Sequence, residues 1–479
     1  MSMRATKPES RNRRTPHAHT VRIVLPLLAA LFATSCGTRT WNSPIPPSGI
    51  NDRYDFYHRL NRGNAQDVFV VLAFSGGGTR AAAFSYGALR ALREIPITWR
   101  GRTTTLLDEV DVISSVSGGS YTAAYYGLFG ERIFDDFESD FLKRDVESSL
   151  IYRLANPVNL ISITGSEFNR GDLSAQWLDE NLFQGKTFSD MSRNGNPYVI
   201  INASDINTGL TFSFIQQQFD FLCSDINTYP VANAVMASSA VPGVFAPIAV
   251  RNFETACAQR TDSWVAVSGT TRDTYSRRHQ VSRGLRRYFE PARMPVVRLL
   301  DGGITDNLGV RGSMMSPVAH YGNVEDMAGA FTPSELAAVR HVLVIVVNAQ
   351  VYNEYSWSIA GADPSIIEMI EASFNASIDI LSTETISLAK AGFMMWEQTA
   401  NARRAPDAPR VRVHFAAITF DDIVDPAERE RFNAMPTSLS LPPQDVDDLA
   451  AMSAQLVKAL PEVRSFVGAL QAEEEVGGR

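Results

Sequence analysis

Three short stretches of this chain bring together residue types able to do acyl chemistry. The first is Asp111-Val-Ile-Ser-Ser-Val-Ser-Gly-Gly-Ser120. Val112 and Ile113 belong to an apolar run of strand type. Ser117 follows at a corner backed by Gly118 and Gly119, and Tyr121-Thr-Ala-Ala-Tyr-Tyr then reads as a helix. Strand, tight turn, serine and helix make a nucleophile elbow, which pushes the hydroxyl out of the sheet. The usual elbow has glycine two residues before the serine; here that position is Ser115. The second stretch is Ser75-Gly-Gly-Gly-Thr-Arg-Ala81, between a strand and a helix. Consecutive glycines there let backbone N–H groups point at an anion. The third is Asp301-Gly-Gly303, a carboxylate at a strand end whose two glycines permit close approach of another loop. Turn formation or helix capping is its other reading.

The glycine cradle excludes two common anion sites. Ala81 replaces the last glycine of a dinucleotide fingerprint, and Trp99-Arg-Gly-Arg-Thr stands where an acidic strand end is needed. The Gly-Lys-Ser/Thr ending of a phosphate loop is missing as well. What remains is an oxyanion hole, with donors aimed at charge that develops during acyl transfer. Arg80 would anchor the loop, meet a phosphate head group or form a salt bridge. The seven histidines show no metal-ligand spacing, and nothing in the chain requires a cofactor.

Elements must hold these stretches. Val68-Phe-Val-Val-Leu-Ala-Phe74, Tyr198-Val-Ile-Ile-Asn202, Val296-Val-Arg-Leu-Leu300 and His341-Val-Leu-Val-Ile-Val-Val347 are continuous apolar runs. Such runs suit strands covered on both faces in a parallel sheet. Asp205 to Phe214 reads as a hairpin turning at Asn207-Thr-Gly209. Phe84, Ala88, Ala91 and Ile95 share a helical face, as do Ile367, Ile370, Phe374, Ile378 and Leu381 after a start at Asp363-Pro364. Val411 to Ile418 is a strand, Val446 to Leu460 a late amphipathic helix, and Glu473 to Arg479 a disordered tail. Val231 to Ala240 is a helix of small residues that ends at Val241-Pro-Gly243.

Composition sets the compartment. Arg4, Lys7, Arg11, Arg13, Arg14 and Arg22 precede an apolar stretch, Ile23 to Ala33, too short to span a bilayer. Residues 1–35 therefore read as a signal peptide. Ala33-Thr-Ser35 before Cys36 resembles the lipobox of bacterial lipoproteins, with Ala33 where leucine is usual; the resemblance implies Cys36 as the lipidated anchor, and a plain signal peptide with a chance cysteine is the other reading. Gly37, not Asp, follows it, which favours the outer membrane facing the periplasm. The formal net charge is −8, and residues 1–35 carry six Lys/Arg and one Glu, so the remainder stands at −13. A chain this acidic is a poor nucleic-acid binder. Cys223 and Cys257 are left as a candidate disulfide in an oxidising compartment, or as two separate buried thiols.

The expected domains are a tether over residues 36–65, a catalytic body over 66–350 and a C-terminal α/β extension over 351–479 packed on the core. An irregular basic insert covers 258–297, where Arg272, Arg277, Arg278, Arg283, Arg286, Arg287 and Arg293 cluster against Asp273 and Glu290. It reads as a solvated loop or an anionic-lipid contact.

Taken in order, Gly76-Gly-Gly-Thr-Arg80, Ser115-Val-Ser-Gly-Gly119, Ala237-Ser-Ser-Ala-Val-Pro-Gly-Val-Phe245 and Asp301-Gly-Gly303 resemble the patatin-like phospholipase family across residues 66–312. The resemblance implies a three-layer α/β/α sandwich with a mostly parallel central sheet, and the strand–helix alternation supports the α/β class independently. It implies Ser117 as nucleophile, Asp301 as general base and the N–H groups of Gly77 and Gly78 as the oxyanion hole. Gly76, Arg80, Gly118, Gly119, Gly302 and Gly303 complete the motifs. The implied activity is hydrolysis of phospholipid or other acyl esters, at a membrane reached through Cys36. The alternative is a degenerate envelope lipoprotein that binds lipid or a partner without catalysis.

Overall fold

The computed structural model describes residues 38–50, 52–55, 65–159, 168–193, 197–253, 257, 263–268, 274–314, 338–352, 355, 357, 361 and 363–477. Cys36 lies outside them, as does Arg272 of the basic insert.

Eight strands form the central sheet: β1 (Val68–Phe74), β2 (Val110–Val116), β3 (Tyr198–Asp205), β4 (Leu210–Ser213), β5 (Ile248–Arg251), β6 (Val296–Leu300), β7 (His341–Val347) and β8 (Arg412–Ile418). Their order is β8-β7-β1-β2-β3-β6-β5, with β4 also paired to β3. The first five of that path run parallel. β6 runs antiparallel to β3 and β5, and β4 antiparallel to β3. Every residue of β1 and β7 is buried. Helices therefore cover both faces of the parallel part, which is why these strands are written in Val, Ile, Leu and Phe without alternation. The sheet is mixed but mostly parallel, in the expected sandwich.

Helix α1 (Gly78–Arg93) follows β1, and α2 (Gly118–Phe129) follows β2. The small-residue helix is α3 (Val231–Ser238), wholly buried. Beyond the basic insert come α4 (Ile366–Arg403), α5 (Pro443–Ala459) and α6 (Pro461–Gly477). Asp363-Pro364 is not the start of α4. Ser365 caps it instead, in a reciprocal box with Glu368 that satisfies two backbone donors. α5 lies against α1 at Gly87, where a Cβ would come 2.1 Å from the Ala450 carbonyl oxygen.

Three expectations of loose structure are corrected by specific contacts. Residues 38–50 and 52–55 lie on the body: Trp41 Nε1 donates to Asp172 Oδ1 at 3.0 Å, and fully buried Tyr54 donates its hydroxyl to the Val199 carbonyl at 2.8 Å. The insert contains helices, Arg277–Leu285 among them, and Tyr288 is buried with its hydroxyl 2.9 Å from Asp205 Oδ2. The acidic tail continues α6 through Gly477. Glu473 pairs with Arg340 at 2.6 Å, and Glu474 accepts the Arg100 and Gly101 N–H groups. These carboxylates find guanidinium and backbone donors at the start of β7 and on the turn after Trp99, so they order the helix instead of solvating a tail.

Candidate active site

The parallel strands deliver the chemistry at their C-terminal ends, the rule for open α/β sheets. Phe74 ends β1 and the glycine loop begins; Val116 ends β2 and Ser117 follows. Ser117 has φ 47° and ψ −119°, a backbone state L-residues seldom adopt. Such strain costs about 1–3 kcal/mol and persists only where neighbours impose it. Here they do. The Ser117 N–H donates to Ser238 Oγ at 2.8 Å, and the Gly119 N–H donates to the Ser75 carbonyl at 3.1 Å. At Gly118 a Cβ would fall 2.0 Å from the Gly78 carbonyl oxygen, so only glycine lets elbow and cradle touch.

Asp301 follows β6 and is buried. Ser117 Oγ donates to its Oδ2 at 2.8 Å, and the Gly303 N–H donates to its Oδ1 at 2.8 Å. Burial pushes the carboxyl from its ordinary value of 3.8 up to about 6, against the opposing pull of those two donors. Desolvation thus supplies the basicity that a free carboxylate lacks. The end of α3 holds both partners: the Asp301 and Gly302 N–H groups donate to the Ala240 and Ser238 carbonyls, each at 3.0 Å.

Beside the dyad, Gly77 and Gly78 have φ 137° and 60°. Among the described residues, no acceptor engages either N–H. Gly76 donates its N–H to the Asn307 carbonyl at 2.9 Å, and a Cβ on Gly76 would sit 3.3 Å from Ser117 Cβ. The cradle, the elbow and the aspartate loop therefore meet around one hydroxyl.

Ser115 is accommodated below that hydroxyl. Its Oγ donates to the Ile200 carbonyl at 3.3 Å and accepts from Ser120 Oγ at 3.1 Å. Ser238 donates to the Asn202 carbonyl at 2.6 Å while accepting the Ser117 N–H. A buried hydroxyl network replaces the missing glycine, and the strained turn forms. Among the described residues, no histidine takes part. His341 pairs with Val68 at the start of β1, the end of the sheet remote from Ser117, and His414 lies opposite Leu343.

Two contributors escaped the sequence reading. Ser238 sits in a run read for its small residues and as one of the four motifs, with no role given to its side chain, yet its hydroxyl fixes the elbow backbone. Asn307, six residues after Asp301, ties the cradle to the aspartate loop through its backbone carbonyl, a contact no residue type announces. Cys223 and Cys257 are joined as a disulfide, with Cα atoms 5.8 Å apart.

A serine hydroxyl bonded to a basic carboxylate beside unengaged N–H donors is arranged for acyl transfer. Residues 72–313 match the patatin-like phospholipase family. The chain belongs to that family. Among solved structures it is similar to human GIVD cytosolic phospholipase A2, with 14% identity and a TM-score of 0.34, over 87% of this chain and 64% of that one. The complex of that human enzyme with methyl gamma-linolenyl fluorophosphonate and terbium chloride gives 15% identity and 0.36, over 88% of this chain and 63% of that one. VipD from Legionella pneumophila gives 12% and 0.27, over 90% and 73%. The chain spans less than two thirds of the human phospholipase chains. No curated protein matches it in sequence.

Proposed function

We propose that this patatin-like protein hydrolyses acyl esters of phospholipids through a Ser117–Asp301 dyad and an acyl-enzyme intermediate. The observation that carries the reading is the 2.8 Å bond from the Ser117 hydroxyl, on a strained elbow, to a buried carboxylate of raised pKa. Asp301 takes the Ser117 proton as Oγ attacks the ester carbonyl carbon. The Gly77 and Gly78 N–H groups receive the developing oxyanion. On collapse, the proton on Asp301 passes to the departing alcohol oxygen, leaving an acyl-serine. Water then gives a proton to Asp301 and its oxygen attacks the acyl carbon. The fatty acid leaves, and the Ser117 oxygen recovers the proton. A binding-only role has no use for a strained serine, so the geometry favours catalysis over the degenerate alternative.

The substrate class is tested with phosphatidylcholine vesicles beside p-nitrophenyl butyrate. Fatty acid released from vesicles is the expected result. Turnover of the soluble ester alone removes phospholipid from the proposal.

The proposal extends to an envelope protein held by lipid on Cys36 and facing the periplasm. The Cys223–Cys257 disulfide supports an oxidising compartment. No described helix is long and apolar enough to cross a membrane. Cys36→Ala should move the protein from the membrane fraction to the soluble fraction. Unchanged retention refutes the lipid anchor.

A further inference from the structure

The cradle is roofed by a segment far outside the family match. Arg80, on the first turn of α1, is only 2% exposed. Its Nε donates to the Ala349 carbonyl at 2.9 Å, its Nη1 to the Met435 carbonyl at 2.6 Å and its Nη2 to Thr437 Oγ1 at 3.0 Å. All three acceptors are uncharged. Burial lowers the guanidinium to about 10, so it stays protonated at neutral pH. The rigid fork of arginine suits this geometry, because its donors reach several acceptors at fixed angles.

The same segment grips the loop a second time. The Thr79 N–H donates to the Ser438 carbonyl at 2.8 Å, and that oxygen lies where a Cβ on Gly78 would come within 2.3 Å. Ser438 Oγ donates to the Ser440 carbonyl and accepts the Ser440 N–H at 3.3 Å, which folds the strap into a tight turn. Ser440 Oγ donates to Asp145 Oδ1 and accepts the Glu147 N–H, both at 3.0 Å. The strap Met435–Ser440 thus spans from the cradle to the helix Val146–Ala155.

Three consecutive glycines have no side chains to fix their own conformation, and a donor pair aimed at an oxyanion works only if it is already in place. We propose that the strap is a positioning element of the acyl-transfer site, holding the Gly77 and Gly78 N–H groups through Arg80 and Thr79. The inference rests on the Ser117–Asp301 reading. It makes the C-terminal extension part of the catalytic apparatus and assigns Arg80 to scaffold, away from a substrate head group.

The test uses the full mature chain as wild type, Arg80→Lys, Thr437→Val and Thr437→Ser, with Ser117→Ala as control. Active serines are counted by fluorophosphonate labelling, and p-nitrophenyl butyrate turnover is expressed per labelled serine. Thr437→Val should lower kcat about fivefold, the value of one neutral hydrogen bond, with KM within twofold. Arg80→Lys should lower it at least about tenfold. Thr437→Ser, which keeps the hydroxyl, should recover at least half of the wild-type rate. A purely structural strap would reduce the labelled fraction or Tm and leave kcat per labelled serine unchanged. That result for Thr437→Val overturns the inference while leaving the dyad intact, and it decides the matter if Arg80→Lys does not fold. Wild type that is not labelled at Ser117 overturns both.

Discussion

Ser117→Ala is expected to abolish fluorophosphonate labelling and to lower acyl-ester hydrolysis by roughly 10⁴–10⁶-fold. The three hydroxyls of the network beneath Ser117 are not placed to take over. Ser115, Ser120 and Ser238 are completely buried and committed to one another or to backbone carbonyls. Among the described residues, Ser117 alone places a hydroxyl oxygen on Asp301. The substitution keeps the Cβ, so backbone strain is nearly unchanged, and the Ser117 N–H bond to Ser238 Oγ is retained. The fold should therefore survive with a similar Tm. The informative comparison is labelling of folded wild type against folded variant at equal concentration. Persistent labelling in Ser117→Ala would move the nucleophile elsewhere and dissolve the dyad.

How much of this was legible in the sequence follows from what each residue contributes. The elbow, the cradle and Asp301 were readable because their requirements are written in residue type: a serine, a carboxylate, and glycines where a Cβ would collide with the facing backbone. Ser115 was readable only as a departure, since the hydroxyls that absorb it come from residue 120 and, through Ser238, from a helix more than a hundred residues away. The strap was not readable at all. Two of its three grips on α1 are backbone carbonyls, at Met435 and Ser438, and any residue supplies a carbonyl. Helix α5 lies against α1 at Gly87, but no motif could announce that its entry segment covers the cradle. The acidic tail misled for a related reason: composition reports charge, whereas Arg340, Arg100 and Gly101 supply the partners.

Asp301→Asn separates catalysis from stability, because the same burial that makes Asp301 a better base penalises its charge. Activity should fall about a thousandfold or more, since asparagine cannot accept the serine proton. In wild type, kcat/KM should rise with pH through about 6 and then level off, as the carboxylate form appears. Stability should move the other way. The unfolded carboxyl titrates near 3.8 and the folded one near 6, so the native state holds the proton more tightly. As pH rises from 3.8 to 6, the unfolded state releases its proton first, and wild type loses stability until the deficit is complete above about 6. The deficit is about 3 kcal/mol. Asparagine has no charge to desolvate. Its amide can still accept the Gly303 N–H and donate to Ser117 Oγ. Urea unfolding should therefore find the variant more stable by about 3 kcal/mol at pH 7.5 and by only about 1 kcal/mol at pH 4.5. Asp306, also buried and pushed to about 6, titrates in both proteins and cancels from the difference. A variant no more stable than wild type at pH 7.5 would mean that Asp301 carries no desolvation penalty, and the raised base on which a histidine-free dyad depends would be lost with it.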